Sequence, residues 1–156
     1  MKYIEVLKRN RAEYPKDIRW KVVVEEHYKC FVCEDGSCYA LEKDGNICGL
    51  CKKKDSHISG SELLKKAIES GGTKLQAFGK RLYEFYTQNG FRPITWIKFD
   101  WRYAPKGCTH SEPLIFYTLG KSNKTFDKFI SKTKPEKTMK EAYKRRDKCQ
   151  QEDRQI

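Results

Sequence analysis

At 156 residues and a formal net charge of +12, the chain can bury a core without metal or disulfides and is basic enough to attract polyanions. Its apolar runs are a few residues long, so neither a membrane-spanning helix nor a secretory signal fits, and no membrane partner is expected. Seven cysteines, an odd number without an export signal, read as free thiols of a cytoplasmic setting rather than a disulfide framework.

A helix is expected over residues 2–13, with Tyr3, Ile4 and Leu7 on one face and Pro15 as its stop. Residues 18–26 are β-branched and partly alternating, which predicts a strand. Three more strands follow at tight spacing, over 28–33, 38–42 and 46–52. Asp35-Gly36 and Asp44-Gly45 sit in the turns between them and carry a strong hairpin signal, so the three form an antiparallel meander. Ser59 and Glu62 form a capping box for a helix over 61–70, whose apolar stripe is Leu63, Leu64, Ala67 and Ile68. Gly71-Gly72 stops it. A strand over Lys74–Phe78 leads to a second helix, 79–88, with Leu82, Phe85 and Tyr86 inward and Asn89-Gly90 as its C-cap. Strands over 92–99 and Leu114–Leu119 complete the set, separated by a loop over 101–112.

From Asn123 the chain turns polar and helical. Residues 121–156 hold 12 Lys/Arg against 6 Asp/Glu, and the basic density centres on Lys140 to Lys148. Met139, Ala142 and Tyr143 give this end only a thin apolar face, which predicts loose packing. A lysine-rich helix is ordinarily a solvated face. Its sharper meaning is attraction to an acidic macromolecule or nucleic acid.

Residues 46–99 thus run strand, loop, capped helix, strand, helix, strand. A helix N-terminus just after a strand can hold a phosphate-bearing cofactor through backbone N–H groups and the helix dipole. The second helix ends Phe85-Tyr86-x-x-Asn89-Gly90-Phe91, which resembles the "FYxxxGF" signature of the GNAT superfamily of N-acetyltransferases. Over residues 37–119 the chain is most similar to a divergent branch found in phages and bacterial mobile elements. That branch pairs "AIxxGGxKL" with "LxxfYxxxGFxPvxxixF", matched here from Ala67 to Leu75 and from Leu82 to Phe99. Ala104-Pro105-Lys106-Gly107 echoes a further motif.

The resemblance implies an α/β fold of α+β type: a mixed, mostly antiparallel, splayed central sheet flanked by helices. It places this domain at 1–120, with a basic helical extension at 121–156 packed on or trailing it. It implies an acyl-CoA-dependent N-acyltransferase, with acetyl-CoA or another acyl-CoA as donor and an amine of a protein, nucleic acid or small molecule as acceptor. The pantetheine arm would lie along strand 46–52, with N–H groups near Cys48, Gly49 or Leu50 facing the thioester carbonyl. The pyrophosphate would sit at Ser59, Gly60 and Ser61, with Lys54 adding charge. Tyr86 aligns with the tyrosine that protonates the departing thiolate, and Asn89 could bond cofactor or strand backbone. Two positions depart from the family's phosphate loop: Asp55 stands for Gln/Arg and Ile58 for the first glycine, while Gly60 is kept.

The cysteines offer an alternative. The alternative function is a non-catalytic basic nucleic-acid- or protein-binding module that keeps the GNAT fold, with an optional zinc site at Cys30-x-x-Cys33 and Cys48-x-x-Cys51, whose spacing is nearly that of a zinc ribbon. Both pairs fall in strands, where residues three apart point to opposite faces, so the favoured reading has no metal.

Overall fold

The computed structural model describes residues 2–13, 27–103 and 111–154. Pro15, the strand expected over 18–26 and the Ala104-Pro105-Lys106-Gly107 motif lie outside them. Among the described residues the chain is a mixed α+β protein with five α-helices and two sheets, each three-stranded and antiparallel. Among these residues the strands expected in one sheet form two. The residues fall into two compact units, 2–13 with 27–73, and 74–103 with 111–154.

In the first unit α1 (Tyr3–Ala12) precedes the meander β1 (Lys29–Val32), β2 (Cys38–Leu41) and β3 (Ile47–Cys51), and α2 (Gly60–Glu69) follows. The Asp-Gly turns close as expected: the Gly36 N–H bonds the Cys33 carbonyl and the Gly45 N–H bonds the Glu42 carbonyl, each at 2.9 Å. Strand β2 lies between the other two, and all four of its residues are buried. Cys38 and Ala40 pack against Tyr3, Val6 and Leu7 of α1. Tyr39 points the other way, stacking on Phe31 and bonding Ser70 Oγ at 2.7 Å. Burying Val6 and Leu7 contributes about 2 kcal/mol each. Ser59 caps α2 by accepting the Glu62 N–H at 3.1 Å. The helix stops at Gly71, whose φ of +114° suits glycine alone.

In the second unit β4 (Lys74–Phe78), α3 (Gly79–Gln88) and β5 (Phe91–Ile97) lead through a short 3-10 turn to β6 (Leu114–Leu119), α4 (Phe126–Lys132) and α5 (Met139–Arg154). Strand β6 is central and buried except at Leu119. One face meets α3. There Tyr83, rather than the expected Leu82 and Phe85, is the fully buried residue beside Tyr86; Leu82 and Phe85 are half-buried. The Tyr83 ring packs on Phe126 and Phe129 of α4, and its hydroxyl donates to the Lys124 carbonyl at 2.7 Å.

The other face meets α5, and here loose packing is overturned. Ala142 is buried against Leu114 and Phe116, but the main anchor is polar. Arg146, only 1% exposed, donates to the Leu75 carbonyl at 3.2 Å and to Gln76 Oε1 at 3.0 Å, with its guanidinium over the Phe116 and Tyr143 rings. Asp147 Oδ1 receives both Arg146 Nε (3.2 Å) and Lys74 Nζ (3.0 Å). Arg92 pairs with Asp153 nearer the C-terminal end of the helix. Removing one member of such a buried set leaves others unpaired. Arg146→Ala is expected to lower stability by about 3 kcal/mol in urea unfolding. Arg146→Lys, lacking the planar fork, should recover less than half of that; a loss under about 1 kcal/mol for the alanine variant would show that α5 is held by its apolar contacts alone.

Candidate functional site

The residues expected to meet an acyl donor begin on β3. Its register against β2 slips: Cys48 opposes Ala40 and Cys51 opposes Cys38, so the bulge falls at Gly49-Leu50. Gly49 takes φ +57°, and its carbonyl accepts the Tyr3 hydroxyl at 3.1 Å. A Cβ on Gly49 would overlap that hydroxyl. Leu50 is half-buried. Among the described residues β3 is an edge strand of its sheet, with β2 on one side.

The bulge also decides how the cysteines face. Cys48 and Cys51 both pack against the cluster under α1, although three apart, because the extra residue turns the strand by one step. The alternation expected for this pair therefore fails. Cys30, opposite Ala40, faces the same side. Cys33 lies past the end of β1, and the charges facing it are those of Asp35 and Lys66. Among the described residues no three His, Cys, Asp or Glu side chains gather in metal-binding geometry. Burial pushes the Cys48 thiol up to about 12, with Glu42 adding to the rise, and burial with Cys51 nearby does the same for Cys38.

After β3 the chain turns through a loop that frames a surface pocket of about 750 Å³, lined by Glu13, Asp35, Lys53, Lys54, Asp55, Ser56 and His57. The loop is braced from within. Asp35 accepts Ser37 Oγ at 2.6 Å and also Ser56 Oγ, and the Ile58 N–H is held by Ser56 Oγ at 3.2 Å. Burial would raise the Asp35 carboxyl, but these hydrogen bonds outweigh it and hold the group below the usual carboxylate range. Asp55 adopts φ +63°. Since Ser59 takes the Glu62 N–H, Gly60 and Ser61 hold the open first-turn donors of α2, with Lys53 and Lys54 in the preceding loop.

Tyr86 and Asn89 belong to the second unit. The Tyr86 ring is buried among Phe85, Phe91 and Tyr117, and desolvation raises its hydroxyl to about 12, with Arg81 opposing. Asn89 Nδ2 donates to the Phe85 carbonyl at 2.7 Å, capping its own helix. The first unit thus carries Cys48, Gly49 and Leu50 on β3, Lys54 and Ser59 on the loop after it, and Gly60 and Ser61 in the first turn of α2. The Tyr3–Gly49 and Asp35–Ser56 contacts have no sequence signal, since each joins residues far apart in the chain. Comparison with protein-family models, with curated proteins and with solved structures finds no significant match in any of the three.

Gly49→Ala is expected to cost about 2 kcal/mol or more, from the left-handed φ and the clash with Tyr3. Adding Tyr3→Phe should return part of it, so a double-mutant cycle in urea with no coupling would remove the clash as the cause. Alkaline stability tests the buried phenols. Above its ordinary value of 10 an unfolded Tyr86 gives up its proton, while the folded group holds it to about 12. The unfolded state then binds fewer protons, so stability should fall as pH rises from about 10 to 12. Phenolate absorbance from the buried tyrosines should appear together with unfolding; full ionisation with an intact circular-dichroism spectrum would contradict this.

Proposed function

We propose that the chain is an acyl-CoA-dependent N-acyltransferase, with acetyl as the acyl group and an amine as acceptor. The observation that carries this is the bulge at Gly49-Leu50 on an edge strand, followed by the open N-terminus of α2. A bulge takes one peptide out of the ladder, and an edge strand offers N–H and C=O groups for an extended partner to pair with. The order of residues 46–99 that underlies the likeness to the GNAT superfamily is present as β3–α2–β4–α3–β5.

On this reading the Gly60 and Ser61 N–H groups, with Lys53 and Lys54, would hold the cofactor's phosphates. The cofactor would supply the activated acyl thioester. A backbone N–H at Gly49 or Leu50 would stabilise charge growing on the acyl oxygen, and the acceptor amine must lose its proton before attack. Tyr86 is proposed as the proton donor to the leaving thiolate.

A second reading is a non-catalytic basic binding module. It is favoured by the acidic side chains Asp35 and Asp55 in the pocket that phosphates would approach, and by a Tyr86 hydroxyl held near 12, well above a thiol. Thermal melting separates the two. Acetyl-CoA at about a hundred times its Kd should add about 2.7 kcal/mol to folding, and the melting temperature should rise by several degrees. Tyr86→Phe should then cut turnover while leaving that rise intact. A melting curve indifferent to acetyl-CoA would support the binding module instead.

A further inference from the structure

Most charged side chains of α5 are sorted by face, the exception being the exposed Glu152, which follows Lys148 by one turn. Asp147 turns in to Lys74 and Arg146, Asp153 to Arg92, and the Glu141 carboxylate accepts the Lys137 N–H at the start of the helix. Lys140, Lys144 and Lys148 are exposed, and none has an acidic partner among the described residues. Four residues apart on a helix, they present a cation about every 6 Å. That spacing is comparable to the separation of successive phosphates on an extended nucleic-acid strand.

An aromatic stands on the same side of the sheet. Glu136 bridges Ile97, and its N–H bonds the Trp96 carbonyl at 2.9 Å, so the segment entering α5 runs beside the end of β5. Lys98 and Lys137, both exposed, lie one residue beyond that bridge on the two segments. Phe78, part of the core under α5, meets Phe99 at 6.1 Å, and Phe99 meets Trp101 edge-on at 4.7 Å. Trp101 is 55% exposed.

We infer that this face of the second unit binds single-stranded nucleic acid, the lysine row taking phosphates and Trp101 stacking on a base. An exposed ring needs an unpaired base to stack on, which a duplex withholds. An acidic protein partner would leave the ring unused. Acyl transfer is not required for this binding, because every residue involved belongs to one unit.

Fluorescence anisotropy with a labelled oligothymidylate of about 20 nucleotides, titrated with the full chain from about 50 to 300 mM salt, tests it. The expected result is an affinity that falls steeply with salt and exceeds that for a duplex of equal length or for polyglutamate. Lys140→Gln, Lys144→Gln and Lys148→Gln together should reduce the salt slope by about 2, at about 0.7 per phosphate contact on a single strand. Trp101→Ala should weaken binding roughly ten-fold and leave the slope unchanged. Both variants change exposed positions and should melt as the wild type does. No binding at the lowest salt, preference for duplex or polyglutamate, or an unchanged slope in the triple variant would overturn the inference.

Discussion

A three-stranded sheet has a single interior strand, and one that is apolar on both faces needs both of them covered. Strands β2 and β6 hold this position, and both are apolar along nearly their whole length. Continuous burial of this kind removes the alternation that a half-exposed strand would show. It also dictates the helices: α1 and α2 cover the faces in the first unit, α3 and α5 in the second. The candidate donor strand β3 owes its edge position to this arrangement, because β2 occupies the centre.

The two units meet the constraint by different chemistry. Around β2 the cover is mostly apolar, with Tyr3, Val6 and Leu7 on one side and the well-patterned α2 on the other. Around β6, α5 has little apolar surface to give, and buried hydrogen bonds replace it. A guanidinium that must reach the Leu75 carbonyl and Gln76, beside an Asp147 carboxylate that must reach Lys74, cannot do so if the helix rotates or slides by one residue. Polar anchoring therefore selects one register where greasy packing would tolerate several. It also leaves Lys140, Lys144 and Lys148 on the outer side of the helix, exposed.

Much of the local structure was legible because it is written in short-range chemistry. Asp-Gly pairs closed the hairpins, Ser59 opened α2 and Gly71 ended it; all six described strands lie where apolar runs and turn residues put them. What could not be read depends on contacts between distant residues. Tyr83 displaced Leu82 and Phe85 from the α3 core because α4, some forty residues on, supplies its aromatic partners and a carbonyl for its hydroxyl. The thin apolar stripe of α5 concealed an anchor residing in one arginine. At the candidate site the capped start of α2 after β3 was legible, but the bulge was invisible. One extra residue at Gly49 reversed the facing of Cys51, and no periodicity announces such an insertion.

The cysteines under α1 carry a practical consequence. Cys38 is sealed and its thiol is strongly disfavoured from ionising, whereas Cys30 on the same sheet is exposed. An alkylating reagent meets the outer sulfur at once but can reach the inner one only while the covering helix is lifted. The lag between the two labelling events is thus a built-in clock for partial opening of this layer, running without any introduced probe.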